Sequence, residues 1–431
     1  MTGADLLEYA PLKTRTSFYY GWIIVAVAAL AMVATLPGRT FGLGLITEPL
    51  LRDLNITHVS YGGMNLVATL IGSAFCLGCG SLIDRLGSRV MLTATFALLG
   101  GTVLAMSRVR GATGLLATLI LTRGFGQSML SVVSLTLVGK WFSRRLSMAM
   151  GVYSLAMGIG FMAAIIGLGQ AVGASDWRHV WRWMGWALLV GLAPLAWLTV
   201  RRSPESIGLA VDGSDADAHA PIDEAEIETG LTLAEALRSP AFWAYALAAS
   251  TYGLIASGLM LFNQSVLHEH GFDGKIVNWV LAISTLTGLI ANLVGGWMAQ
   301  KWSIGRLLAG AMLLLAVALF ALPLAHSKAM VYLYAVTIGL AGGIITVGFF
   351  VCWGKVFGRL HLGAIQGAAQ GLTVLASAAG PWLLAESVSI KHSSTPLLFA
   401  LAPVVSLLGI FCALAPLPVA APQEVKYPAE P

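Results

Sequence analysis

Charged residues are scarce in this sequence. Only 10% of the 431 residues are Asp, Glu, Lys or Arg, whereas hydrophobic residues make up 57%. Soluble domains carry about 25% charged residues, so the composition excludes an ordinary cytosolic enzyme, a disordered protein and a nucleic-acid-binding protein. In so apolar a chain, the net charge of +5 indicates membrane orientation rather than a polyanionic partner.

Cysteine is scarce as well, and the motifs of catalytic proteins are missing from the sequence. Cys76 and Cys79 form a CxxC pair inside an apolar run, and no second pair accompanies it. This favours small, membrane-packed side chains over a metal or redox site. The sequence shows no nucleotide-binding loop, no cluster of metal ligands and no nucleophile motif. We therefore predict a protein without enzymatic activity, cofactor or metal.

Long apolar runs make up most of the chain. A bilayer core takes about 20 apolar residues of helix, and this length predicts twelve membrane spans. They cover residues 18–46, 58–82, 90–107, 113–138, 147–171, 180–200, 241–263, 275–299, 304–325, 329–352, 362–386 and 396–416. The predicted fold class is an all-α membrane protein, and the 49 glycines suit close helix packing in lipid. Because no cleavage site follows the first run, we expect no cleavable signal.

The polar segments predict the domain organisation and the orientation. One set of alternate loops carries more Lys and Arg than the other, which places both termini in the cytoplasm of a cell with the protein in its inner (plasma) membrane. The predicted units are an N-terminal six-helix bundle (1–202), a cytoplasmic linker (203–239), a C-terminal six-helix bundle (240–416) and a cytoplasmic tail (417–431). The acidic linker suits a solvated connector, with a regulatory role as the alternative.

The two predicted bundles share an internal repeat. The same offset of 216 residues separates Gly80 from Gly296 and Gly151 from Gly367. Two independent segments with one offset predict two pseudo-symmetric halves. Such halves are typical of a transporter whose site lies at the repeat interface, near the middle of the membrane.

The loop after the second predicted span resembles a family signature. It reads Gly80-Ser-Leu-Ile-Asp84-Arg85-Leu-Gly87-Ser-Arg89, which is similar to the signature loop of the major facilitator superfamily except at Ser88, where a basic residue is usual. The second copy, which begins at Gly296, is degenerate. The resemblance covers essentially the whole chain and implies the fold of that family. It also implies a conformational latch in which a charge-assisted contact of Asp84 holds one state closed; the alternative is a plain basic loop with a turn glycine.

Other segments resemble the oxalate–formate and monocarboxylate porter branch of that superfamily. They are Tyr20-Gly21-Trp22, the run from Pro37 to Gly42, and the run from Leu233 to Trp243. The resemblance implies transport of an organic anion, and it matches Arg39 with the basic residue that binds the carboxylate. The sequence departs from the branch in the eighth and eleventh spans, which lack the expected basic residue. A singly charged acid or a larger polar molecule is therefore favoured over a dicarboxylate.

Two arginines, Arg39 and Arg123, lie well inside predicted spans, whereas no carboxylate lies in the middle of any span. An ionisable group at the membrane centre costs about 2.5–3.5 kcal/mol on insertion scales, so Arg39 and Arg123 are candidates for anion binding. Arg39 follows a predicted helix break at Pro37-Gly38; the alternative role is an anchor to the outer headgroups. For Arg123 the alternative is a structural role. Polar side chains that complete the predicted site are Gln127, Tyr153, Asn263, Asn292 and Gln370, each with helix packing as its alternative.

These observations predict a secondary transporter that moves a small organic anion, above all a monocarboxylate, by alternating access, with or without a coupled proton. The expected partners are that anion, protons and the lipid bilayer, and the expected state is a monomer. One alternative is an exporter or importer of a neutral or amphipathic metabolite or drug. Another is a sensor or assembly factor that has the same fold but does not transport.

Overall fold

A computed structural model describes residues 19–213 and 230–418 of the chain. The described residues are almost entirely helical, with one isolated antiparallel bridge between Gly230 and Gly358. Most of the acidic side chains of the predicted linker, from Asp215 to Glu228, lie outside the described residues, as does the predicted tail beyond residue 418. The predicted all-α class is confirmed.

Twelve long helices follow one another in the described part of the chain. They are α1 (Gly21–Val33), α2 (His58–Leu86), α3 (Ser88–Met106), α4 (Ala112–Trp141), α5 (Leu146–Ala174), α6 (residues 177–199), α7 (Pro240–Glu269), α8 (Gly274–Lys301), α9 (Ile304–Ala321), α10 (Lys328–Phe357), α11 (Leu362–Lys391) and α12 (Thr395–Leu414). Eleven ranges in this described part are long and apolar enough to cross a bilayer. The exception is α6, which carries Arg178 and Arg182 in its first turns.

Polar side chains fix where several helices begin. Thr57, Asp176, Asp273 and Ser327 each precede a helix, and each side-chain oxygen accepts a hydrogen bond from a backbone amide in the first turn. Such caps satisfy amides that have no partner within the helix. Along the rest of each helix the backbone bonds to itself, which is what a lipid environment demands.

The chain leaves the helical conformation in the region where a break was predicted. α1 ends at Val33, a short turn covers Leu36–Gly38, and Arg39 is extended, with φ −98° and ψ 153°. Proline favours such a break because it lacks an amide hydrogen. Gly38 is required because a Cβ there would lie 2.4 Å from the Thr122 carbonyl oxygen. The predicted break is therefore confirmed, and it brings this segment against α4.

Close helix packing closes one face of the molecule, here called the basic face and defined by Asp84, Lys140 and Arg359. At this face α2 meets α11, where a Cβ on Gly80 would lie 2.3 Å from the Gly363 carbonyl oxygen. Away from it the packing loosens. The buried residues of α5 all fall between Leu146 and Ser154, near the basic face, so the remainder of this helix is less enclosed by its neighbours.

Large apolar side chains cover the outside of the helices. Leu198, Leu333 and Leu414 are 67%, 66% and 75% exposed. A soluble protein rarely leaves contiguous apolar surface of this kind open to water. The arrangement suits a surface that contacts lipid.

Candidate functional site

A cavity of about 230 Å³ lies between helices of the two halves. Three helices of the first half (α1, α4 and α5) and three of the second half (α7, α10 and α11) form its walls. The lining residues are Met32, Arg39, Leu135, Met157, Phe161, Ala249, Tyr252, Gly253, Ile345, Thr346, Phe349, Phe350, Gln370 and Thr373. Apolar and aromatic side chains dominate, as is usual for sites that bind small molecules.

Arg39 is the one charged residue of this lining. Its Nε donates to Thr35 Oγ1 at 2.7 Å, and its Nη2 donates to Ser131 Oγ at 3.1 Å. The guanidinium carbon lies 5.4 Å from the ring centroid of Phe161, within the range of a cation–π contact. Its Nη1 makes no hydrogen bond to any described residue. The guanidinium is thus oriented by neutral groups and retains donor capacity at the cavity.

Arg123 lies deeper in the first half and is only 3% exposed. It begins a wide-turn (π-helical) segment of α4, Arg123–Leu130, a type of distortion that is frequent at functional sites. Its Nη1 donates to Gln127 Oε1 at 2.7 Å and to the Gly38 carbonyl at 3.2 Å, and its Nη2 donates to Asn65 Oδ1 at 3.0 Å. These bonds join α4 to α2 and to the break after α1, which favours a positioning role.

Neither arginine is neutralised by the described part of the chain. Its ion pairs join Lys140 to Asp84, Arg178 to Asp53 and Arg359 to Glu205. Two guanidinium groups therefore occur in the membrane interior with only neutral hydrogen-bond partners among the described residues. Among the described residues, both positive charges are therefore left without a counter-ion.

The other predicted binding residues fall into two groups. Gln370 lines the cavity, Gln127 is bonded to Arg123, and Tyr153 is buried, with its hydroxyl 2.8 Å from Ser134 Oγ and its ring against Phe350. Asn263 and Asn292 are not part of the lining. Asn292 lies where α8 packs against α5 and α10, and its Oδ1 is buried without a partner among the described residues.

The phenylalanines of the cavity wall were not among the predicted site residues. Phe161 comes from α5, whereas Phe349 and Phe350 come from α10. Thr346 and Thr373 add hydroxyl groups from the second half. Each of these phenylalanines sits in an apolar run, where no local signal in the sequence distinguishes it from its neighbours. Only the packing of distant helices brings these residues together.

One of the predicted latch residues, Asp84, contacts the second half directly. The Asp84 carboxylate accepts hydrogen bonds from the backbone amides of Gly363 at 3.3 Å and Ala364 at 3.0 Å, at the start of α11. It also pairs with Lys140 Nζ at 3.1 Å. A carboxylate at a helix N-terminus is stabilised by the helix dipole. Asp84 therefore joins the two halves at the basic face.

The remaining latch residues lie around this contact. Gly87 has φ +84°, a conformation that favours glycine, and Arg89 donates from Nε to the Trp197 carbonyl at 2.7 Å, within the first half. Arg85 is exposed and makes no hydrogen bond or ion pair to another described residue. Gly80 provides the close approach described above.

The segment after α6 also contacts the basic face. The Asp212 carboxylate accepts hydrogen bonds from the backbone amides of Ser143, Arg144 and Arg145, which precede α5. Arg359 Nη2 lies 3.3 Å from Glu205 Oε1 and also donates to the Lys140 carbonyl. The described ends of the predicted linker are thus bound to loops of both halves.

The helices and the cavity between their two sets define a multi-pass membrane protein with internal symmetry. The family model described as Major Facilitator Superfamily matches residues 22–381, and a second match covers residues 246–430. The chain belongs to the Major Facilitator Superfamily.

Two relatives that match part of the chain are named as transporters of different molecules. The chain is 27% identical over 158 residues to the riboflavin transporter RibJ of Trypanosoma cruzi, covering 36% of this chain and 33% of that protein. It is 33% identical over 194 residues to the 4-hydroxybenzoate transporter PcaK of Pseudomonas aeruginosa, covering 43% and 41%. The chain therefore spans less than half the length of these two relatives.

Two further similarities extend over most of the chain. An uncharacterized 38 kDa protein of Thermoproteus tenax is 25% identical over 373 residues, covering 81% of this chain and 90% of that protein. The crystal structure of the human organic anion transporter MFSD10 superposes with a TM-score of 0.63 at 16% identity, covering 91% of this chain and 97% of the other. At that identity the structural likeness concerns the fold.

Proposed function

We propose that the chain is a secondary transporter that moves a small organic anion, above all a monocarboxylate, by alternating access. The observation that carries the proposal is Arg39, a guanidinium that lines an otherwise uncharged cavity between the two halves. An arginine fork suits a carboxylate because it presents parallel N–H donors in a fixed plane. A bound anion would supply the missing negative charge.

The relatives support this proposal in part. One is named for 4-hydroxybenzoate, an organic anion, and another for riboflavin. The second name keeps a neutral or amphipathic substrate as the alternative, and the aromatic lining would accept such a molecule too. The charge of Arg39 favours the anion, because a neutral ligand would leave the guanidinium uncompensated in the membrane interior.

Alternating access explains the asymmetry between the two faces. The basic face is closed by Asp84 and the glycine contacts, and we infer that the cavity is reached from the other side. We place the basic face in the cytoplasm of a cell's inner (plasma) membrane, because Lys and Arg accumulate in its loops. The structure then corresponds to an outward-open state. In this proposal the bundles 1–202 and 240–416 rock about the cavity, and the segment 203–239 connects them.

The proposal can be tested by uptake into proteoliposomes. Labelled mono- and dicarboxylates are offered with and without an inward proton gradient, to the parent protein and to Arg39→Gln, Arg39→Lys and Arg108→Gln variants. Arg108 is an exposed loop residue and serves as the control for loss of one positive charge. Hydrogen bonds to charged groups contribute about 1.5–3 kcal/mol, so Arg39→Gln should lower monocarboxylate uptake about 10- to 100-fold. Arg108→Gln should leave it unchanged.

The Lys variant separates charge from shape. A lysine keeps the charge but loses the planar fork. Monocarboxylate uptake by Arg39→Lys should therefore lie between that of the parent protein and that of Arg39→Gln. Faster uptake with the gradient would indicate proton symport. Absence of acid uptake by correctly reconstituted parent protein would contradict the anion proposal and direct the test to neutral and amphipathic compounds.

A further inference from the structure

The polar groups of the cavity are divided between the two halves of the protein. The first half contributes Arg39, and no lysine or arginine comes from the second half among the described lining residues. The second half contributes uncharged polar groups instead, namely those of Gln370, Thr346, Thr373 and Tyr252. A ligand whose charged end contacts Arg39 therefore meets uncharged polar groups on the opposing helices.

The bonding of these groups limits what they can recognise. Thr346 Oγ1 donates to the Gly342 carbonyl at 2.7 Å, and Thr373 Oγ1 donates to the Ala369 carbonyl at 3.1 Å. Each hydroxyl has thereby used its one hydrogen, and hydroxyl groups of α7 occupy part of its lone-pair capacity. Toward a ligand each oxygen can act only as an acceptor. Acceptor groups suit a ligand hydroxyl or amine and oppose a second carboxylate.

Gln370 adds an amide that is still available. Its side chain is partly buried, lines the cavity and makes no hydrogen bond to another described residue. An amide presents both a donor and an acceptor, so it can bond a hydroxyl in either direction. The amide is therefore open to a ligand that enters the cavity.

The space between the two polar ends is bounded by flat rings. Phe161 lies below Arg39, and Phe349 and Phe350 lie on α10 with ring centroids 6.3 Å apart. Aromatic side chains pack well against the faces and edges of another ring. The volume of about 230 Å³ leaves room for an aromatic ring between these side chains.

We infer that the site selects an aromatic monocarboxylate that carries a neutral hydroxyl or other hydrogen-bond donor away from its carboxylate. In this inference Arg39 binds the carboxylate, the phenylalanines hold the ring, and Gln370 recognises the second polar group. The inference rests on the proposed function, because it names the substrate class of the same cavity.

The test compares four acids in the reconstituted protein: benzoate, 4-hydroxybenzoate, cyclohexanecarboxylate and the dianion terephthalate. The parent protein should take up 4-hydroxybenzoate with a half-saturation concentration about five- to tenfold below that of benzoate, as one added hydrogen bond predicts. Cyclohexanecarboxylate should have a higher half-saturation concentration than benzoate, and terephthalate should not be transported.

Two variants assign the preference to residues. Gln370→Leu should remove the advantage of the hydroxyl, so that 4-hydroxybenzoate and benzoate reach equal half-saturation concentrations in this variant. A melting temperature close to that of the parent protein shows that the variant is folded. Phe350→Leu should narrow the difference between benzoate and cyclohexanecarboxylate.

Equal half-saturation for the first three acids, or a hydroxyl preference that survives Gln370→Leu, would overturn the inference but leave the proposed function intact. The same holds for efficient transport of the dianion. Loss of uptake of every acid by the parent protein would overturn both.

Discussion

Gly80 and Gly367 lie in backbone contact between α2 and α11, where a Cβ on Gly367 would approach the Gly80 Cα to 3.4 Å. The repeat offset of 216 residues relates Gly80 to Gly296 and Gly367 to Gly151. Gly296 and Gly151 are also in contact, since a Cβ on Gly296 would lie 3.0 Å from the Gly151 Cα. The basic face is thus closed twice by the same contact, once in each symmetry-related pair of helices.

Adding one methyl group at this contact should open the basic face. In Gly80→Ala the new Cβ would lie 2.3 Å from the Gly363 carbonyl oxygen, and because both positions are on helix backbones the helices must separate. Overpacking of this kind costs about 1–3 kcal/mol. In a background that retains Cys76 alone, maleimide labelling of this buried thiol should rise about fivefold or more.

A matched control lies on the same helix. Gly78 is exposed and a Cβ there would meet nothing within 4 Å, so Gly78→Ala should label like the parent. Equal labelling of the two alanine variants would show that the contact does not hold the face closed.

Neutralising Asp84 should weaken the same closure by another route. Asp84→Asn removes the ion pair with Lys140 and the charged acceptor at the start of α11, and contacts with a helix terminus contribute about 0.3–2 kcal/mol. We expect Cys76 labelling to rise severalfold and uptake to fall. Arg85→Gln is the control, because Arg85 belongs to the same loop but is exposed. If both variants lost uptake equally, the loop would act through its charge and not as a latch.

Asp212 should contribute to the stability of the folded protein. Its carboxylate satisfies three backbone amides before α5, and loss of a capping side chain typically costs about 0.5–2 kcal/mol. Asn is the appropriate substitution because Asp212 has φ +62° and Asn tolerates that conformation. Asp212→Asn should lower the melting temperature of the detergent-solubilised protein by a few degrees.

The comparison for this prediction is Glu205→Gln. The Glu205 side chain is 47% exposed in its pair with Arg359, and exposed ion pairs contribute about 0–1 kcal/mol. The melting temperature of Glu205→Gln should therefore change less than that of Asp212→Asn. An Asp212→Asn protein that melts with the parent would contradict the capping role.

Arg123 and Arg39 should respond differently to the same substitution. Arg123→Gln removes bonds to the Gly38 carbonyl, Gln127 and Asn65, which leaves buried groups unpartnered at about 1–3 kcal/mol each. It should lower both melting temperature and uptake. Arg39→Gln should lower uptake with a smaller loss of stability, because its protein partners are two hydroxyls and a thioether. Equal destabilisation of the two variants would argue for a structural role of both arginines.

The sequence was sufficient for the features that depend on local chemistry. Pro37 and Gly38 mark the break after α1 because proline removes an amide and glycine permits close approach. The length of the apolar runs gave the long helices, and the cost of a charge in lipid singled out Arg39, which lines the cavity. Each of these inferences rests on one residue or one segment.

The sequence could not show which side of each helix faces the cavity. In a helix that is apolar all around, the hydrophobic pattern carries little angular information. Gln370 and Asn292 therefore appeared equivalent, yet only Gln370 lines the cavity. Phe161 and Phe349 could not be selected because their proximity depends on the packing of α5 against α10. Asp212 was hidden among the acidic residues of the predicted linker.

The two kinds of contact that close the basic face differ in their sensitivity to solution conditions. The pair Asp84–Lys140 is partly exposed, so raising the ionic strength weakens it. The glycine contacts consist of main-chain atoms, carry no charge and have no rotamers. Salt can therefore weaken the Asp84–Lys140 pair but cannot change how closely the helices approach each other. The closed geometry is set by the width of two backbones, while its lifetime is set by electrostatics.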